Sequence, residues 1–122
     1  MVSSYRDLFV FKKACELAGK VYRMTDGYPP EERYNLINQM WRAAASIPMN
    51  IAEGYRRNSR KEYINFLTIA SGSCGELDAQ LILSRDTDLI TSDQYEKIHQ
   101  DQRFVSILLT RLIAALKTNK RQ

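Results

Sequence analysis

One histidine, His99, is all the imidazole this 122-residue sequence offers. Catalytic triads and metal centres that need a second histidine are therefore excluded. A di-iron helical bundle requires two Glu-x-x-His pairs plus further carboxylates, and only Glu96–His99 is present. A lone histidine near a helix start reads as a solvated side chain. Cys15 and Cys74 are isolated, without metal-ligand spacing and too few for a disulfide framework. None of the five glycines forms a phosphate loop. "SGSCG" lacks the strand-to-helix context of a nucleophile elbow. No apolar run approaches the ~18–20 residues of a membrane span. Alternation and hairpin dipeptides are missing, so no strand is expected. These absences argue against an enzyme: no catalytic residue, cofactor, metal or small-molecule substrate is expected.

The length suits one domain, 1–122, with a core of its own. The N-terminal "MVSSYRDLFVFKK" carries Asp7 and no clean apolar region, so no signal peptide is expected. Reduced thiols and a cytoplasmic location follow as expectations. The formal net charge is +4, a mild bias towards anionic partners. Cations gather at Arg56, Arg57, Arg60 and Lys61, and again along the C-terminal stretch through Lys117, Lys120 and Arg121.

Helical periodicity fills the chain. The first helix carries Leu8, Phe11, Cys15, Ala18 and Tyr22 as its stripe and ends at "DGYPP". The second starts near Glu31 and Glu32, carries Leu36, Met40, Ala44, Ile47 and Ile51, and is expected to stop at Gly54. The third opens at Ser59 with Glu62 in capping-box spacing, and its stripe runs from Tyr63 and Phe66 to Leu81 and Ser84. "RDTDL" breaks it. The fourth opens at Thr91 with Gln94, and its stripe runs from Tyr95 to Leu116. Four long helices with short connections predict an all-α, antiparallel up-down-up-down four-helix bundle.

Pro48 lies inside the second helix, where proline costs ~3 kcal/mol when exposed. The apolar stripe keeps its phase across it, which predicts a kink rather than a break. Surplus apolar stripes at Val10, Ala14, Leu17, Val21 and Met24, and at Trp41, Ala45, Pro48, Ala52 and Tyr55, suggest burial between subunits, the alternative being a well-filled monomer core. A flank of small residues on the third helix, Thr68, Ser71, Gly72, Gly75 and Ala79, suggests the same. Gln39, Arg42, Ser46, Asn50 and Glu53 form a polar line readable as a solvated face or as a hydrogen-bonded seam.

The segments "YRDLFVFKKACELAGKVY", "RAAASIPMNIAEG", "FLTIASGS" and the following "EL" together cover most of residues 5–83. In them the sequence resembles the 23S rRNA-intervening-sequence protein family, also called four-helix bundle proteins. The resemblance implies a small bacterial bundle that assembles as a ring, with a homopentamer as the expected arrangement. A distantly similar group, the accessory variability determinants of retroelements, binds nucleic acid. The family supplies no catalytic residues to carry over.

Two functions remain open. In one, a homo-oligomer binds nucleic acid, RNA rather than DNA, through a basic patch of Arg56, Arg57, Arg60 and Lys61. Arg42 is a weaker candidate and Tyr55 a base-stacking one. In the other, the chain is a protein-interaction scaffold and the same cations only solubilise a turn.

Overall fold

A computed structural model describes residues 4–118, with Arg33 and Tyr34 described by their backbone alone. Lys120 and Arg121, part of the C-terminal charge, lie outside the described residues. Four α-helices are present among the described residues: α1 (Phe9–Thr25), α2 (Asn38–Tyr55), α3 (Arg60–Asp86) and α4 (Ser92–Thr118). Each packs on its neighbours in sequence, and α1 against α4 closes the ring. The short α2–α3 and α3–α4 connections force antiparallel neighbours. The described chain is thus an all-α four-helix bundle without strands.

The core is aliphatic. Leu17, Met40, Ile47, Ile51, Leu67, Leu77, Leu81 and Leu109 are fully buried or nearly so, each stabilising the fold by ~1.5–3 kcal/mol. For α2, α3 and α4 the buried face follows the expected stripe over most of its length, but Tyr63 and Phe66 at the start of α3 and Leu112 and Leu116 at the end of α4 are only partly buried, and Leu67, outside the stripe, is fully buried. For α1 it is not. Val10, Ala14, Leu17 and Val21, assigned to a surplus stripe, form the buried face, while Cys15 and Tyr22 are exposed. The two stripes differ by one residue, so periodicity cannot rank them. Packing against α2 and α4 selects the set without a polar atom, leaving a thiol and a phenol, which tolerate water, outside. The surplus stripe of α2 is also largely used within the chain. Trp41 packs its ring 5.5 Å from Tyr22, and its Nε1 donates to Thr25 Oγ1 at 2.7 Å.

α2 runs unbroken through Pro48, which is itself buried. Burial of Met40, Ala44, Ile47 and Ile51 around it offsets the lost hydrogen bond. Its beginning differs from expectation. Pro30–Glu32 form a 3₁₀ turn and Arg33–Ile37 a π-helical turn before α geometry begins at Asn38. The wider turn lets two consecutive residues, Leu36 and Ile37, both reach the core.

Gly54 does not stop α2 through a left-handed backbone, because no glycine here has positive φ. It sits inside the helix and lets α3 approach: a Cβ on Gly54 would lie 2.8 Å from Phe66 Cβ. The stop comes from Arg56–Ser59 and the capping of α3, where the Glu62 N–H donates to Ser59 Oγ at 3.0 Å. At α4 the capping box is reciprocal: Gln94 N donates to Thr91 Oγ1 at 3.1 Å and Thr91 N to Gln94 Oε1 at 2.8 Å.

Candidate nucleic-acid interface

The antiparallel arrangement places the end of α2, the start of α3 and the end of α4 at one pole of the bundle. There the expected basic cluster separates into parts. Arg60 and Lys61, from the first turn of α3, meet Lys117, from the last turn of α4, around a cleft of about 660 Å³. Asn58 and Asn65 add amides, Ile64 and Leu116 add apolar surface, and no acidic side chain lines it. Arg56 and Lys61 are exposed. Among the described residues, Arg56, Lys61 and Lys117 form no ion pair. Arg60 Nη1 is shut off from solvent and has no hydrogen-bond partner among the described residues, a state that typically costs ~1–3 kcal/mol.

Arg57 is differently placed. Its Nη2 lies 2.6 Å from Glu53 Oε2 and its Nη1 3.9 Å from Glu62 Oε2. Its guanidinium covers the Phe66 ring at 4.8 Å. Helical i,i+4 spacing sets the first contact, and the second comes from the capping residue of α3. Arg57 is therefore partly neutralised where it stands.

Tyr55 is half-buried and packs edge-on against Tyr63, with ring centroids 6.0 Å apart. Burial, then the nearby Tyr55, pushes the Tyr63 phenol up to about 12. Arg42 is not part of the pole. It precedes Arg56, the residue that caps the end of α2, by fourteen residues, ~21 Å along the helix axis. It lines a smaller polar hollow with Ser46, Ser73 and Glu76.

That hollow belongs to the polar line of α2, which proves to be a seam. Ser73 Oγ of α3 donates to Ser46 Oγ at 2.8 Å, and Asn50 Nδ2 donates to Ser46 O and Oγ at 2.8 and 2.9 Å. The partner at Ser46 is therefore another helix of the same chain, whereas Asn50 bonds back to its own helix and braces Ser46 there.

His99 is not simply solvated. It stacks on Tyr95 at 5.1 Å, and its Nδ1 lies 3.3 Å from Asp78 Oδ1 across the α3–α4 seam. Among the described residues no group of three His, Cys, Asp or Glu side chains is placed to hold a metal ion. No helix among them is long and apolar enough to cross a membrane.

Lys117 is a cation of the cleft that the sequence did not place beside Arg60 and Lys61. It lies far from the α2–α3 turn in sequence. Its signal was available in the antiparallel topology, which returns the end of α4 to the start of α3.

The comparisons with known proteins agree with this fold. No curated protein matches the chain. A solved structure, described as a protein of unknown function from the S23 ribosomal protein family of Bacteroides thetaiotaomicron, is 31% identical. It superposes with a TM-score of 0.81 over 86% of this chain and 95% of that one. The family model for the 23S rRNA-intervening sequence protein matches residues 6–111. By that match the chain belongs to the 23S rRNA-intervening sequence protein family.

Proposed function

We propose that this protein binds nucleic acid, RNA in preference to DNA, as a non-enzymatic homo-oligomer, through the pole where α2 ends and α3 begins. One observation carries the reading: Arg60, Lys61 and Lys117 converge on a cleft with no acidic side chain in its lining, and exposed Arg56 stands on the adjoining turn. Cations left without anionic partners gain by displacing counterions from phosphates. Self-association would repeat the pole around a symmetry axis and raise avidity. The surface for it is the outer face of α3. Ile69 and Leu83 remain about half exposed there, and a Cβ at Gly72 or Gly75 would meet nothing within 4 Å. A pentamer is the expected assembly, and the cytoplasm the expected compartment.

The test is RNA binding at increasing salt. Log affinity should fall with log salt by ~0.7–0.9 per phosphate contact. Replacing Arg56, Arg57, Arg60 and Lys61 with Gln should weaken binding to all sequences alike and flatten that slope. Retention of wild-type affinity and slope by the quadruple variant would exclude this pole. If the wild type bound no nucleic acid at low salt, the protein-interaction scaffold would replace this reading.

A further inference from the structure

The polar cleft has more than phosphate-binding cations, and its other walls bear on which form of nucleic acid it takes. At about 660 Å³ it lies within the ~300–1,000 Å³ of small-molecule sites. A phosphate alone would leave most of that space filled with water. Ile64 and Leu116 supply apolar surface from which an oxyanion gains nothing and a base face gains dehydration. Asn58 and Asn65 bring amide donors and acceptors to the same space, the groups that pair with base edges. Arg60 Nη1, unpartnered and closed to water, is relieved if the side chain turns towards an oxyanion in the adjoining cleft.

A duplex cannot use these walls together. It carries its phosphates on convex ridges and keeps its base faces stacked inside. A single strand can turn one base inward while its phosphates follow the rim. We infer that the cleft between the start of α3 and the end of α4 takes one unpaired nucleotide of a single strand, its base against Ile64 and Leu116 and its flanking phosphates on Arg60, Lys61 and Lys117. This inference rests on the nucleic-acid reading above and narrows it to unpaired substrates.

Fluorescence polarisation on the native protein at low salt tests it, with three labelled probes of equal length: a 12-nucleotide single-stranded RNA, the same strand annealed to its complement, and a strand with abasic sites. The single strand is expected to bind ~10-fold more tightly than the duplex, and the abasic strand to lose ~5–10-fold, the lower end of base-contact effects because the walls are aliphatic. Leu116→Gln should reproduce the abasic loss on the intact strand. Lys117→Gln, an exposed change outside the α2–α3 turn, should weaken single-strand binding ~3–10-fold with the helical circular dichroism unchanged. Equal binding of the intact and abasic strands, or of single strand and duplex, would overturn the cleft while leaving the pole a nucleic-acid site. Absence of binding to all three probes would overturn both.

Discussion

Gly54 and Phe66 are in such close contact that a methyl group on the glycine would lie 2.8 Å from the phenylalanine Cβ and 3.2 Å from the Tyr63 carbonyl oxygen. Neither obstacle is the free end of a flexible side chain, so α2 and α3 would have to separate. Gly54→Ala should therefore destabilise the protein by ~1–2 kcal/mol, overpacking outweighing the better helix propensity of alanine. Urea denaturation measures this. An unchanged or higher midpoint would show that the two helices separate without cost at this point.

Asp88 is the only described non-glycine residue with positive φ, at 64°. It closes α3 in a Schellman arrangement: Leu89 N donates to Ser84 O at 2.9 Å and Asp88 N to Arg85 O at 3.1 Å. Glycine adopts this backbone without Cβ strain. Asp88→Gly should raise stability by ~0.5–1 kcal/mol, visible as a thermal midpoint a few degrees higher. A lower midpoint would mean that the carboxylate contributes more than the strain costs.

Much of this fold was legible in the sequence because helix signals are local. Capping pairs Ser59–Glu62 and Thr91–Gln94, the Tyr95–Leu116 stripe and the breaker "DGYPP" each act within a few residues. What was not legible depended on neighbours. Val10 and Phe11 belong to competing stripes one residue apart, and only the positions of α2 and α4 select between them. Gly54 reads as a helix stop until Phe66 is seen beside it. The π-helical turn at Arg33–Ile37 shifts phase without a sequence marker. Four cations in one turn could be counted, and the four-residue spacing of Glu53 and Arg57 is local, but the cover of Arg57 by Glu62 and Phe66, and the approach of Lys117 to Arg60, are properties of packing.

Gly72 tests the proposed assembly. In the isolated chain an added methyl there meets nothing within 4 Å, so Gly72→Ala would by itself stabilise α3 by ~0.5–1 kcal/mol. If the outer face of α3 is buried between copies, the same methyl obstructs close backbone approach. We expect Gly72→Ala to dissociate at higher protein concentration than the wild type in light-scattering dilution series. A wild type of 14.1 kDa at micromolar concentration would rule out the oligomer. An oligomeric variant with unchanged dissociation would place the interface elsewhere.

Cys74 makes stability sensitive to alkaline pH. Burial pushes its thiol up to about 11, with the hydrogen bond to Gln102 lowering it in part and the charge of Asp78 adding a smaller rise. The fold thus favours the neutral thiol. This contribution is fully present below the unfolded thiol's pKa of ~8.5 and is lost as pH rises through about 11. The urea midpoint should fall between those values, and less so in Cys74→Ala, whose baseline will be lower from the lost packing. Iodoacetamide at pH 8 should label exposed Cys15 in the native protein and Cys74 only after unfolding. Equal native labelling of both thiols would contradict the burial of Cys74.

Arg57 separates counting cations from placing them. Its guanidinium is held by Glu53 at 2.6 Å, with Glu62 beyond and Phe66 beneath. Leaving that site for a phosphate would forfeit these contacts, whereas Lys61 has no ion pair among the described residues to give up. Arg57→Gln should leave RNA affinity within about twofold of wild type and the salt slope unchanged, and should lower stability by no more than ~1 kcal/mol because the pair is largely exposed. Arg60→Gln and Lys61→Gln should each reduce the slope by ~0.7–0.9. The measurement is affinity against salt for the three single variants, with urea midpoints as a control. If Arg57→Gln lowered the slope as much as Lys61→Gln, phosphate would be drawing Arg57 away from Glu53, and the anionic partners at this turn would not determine which cations bind.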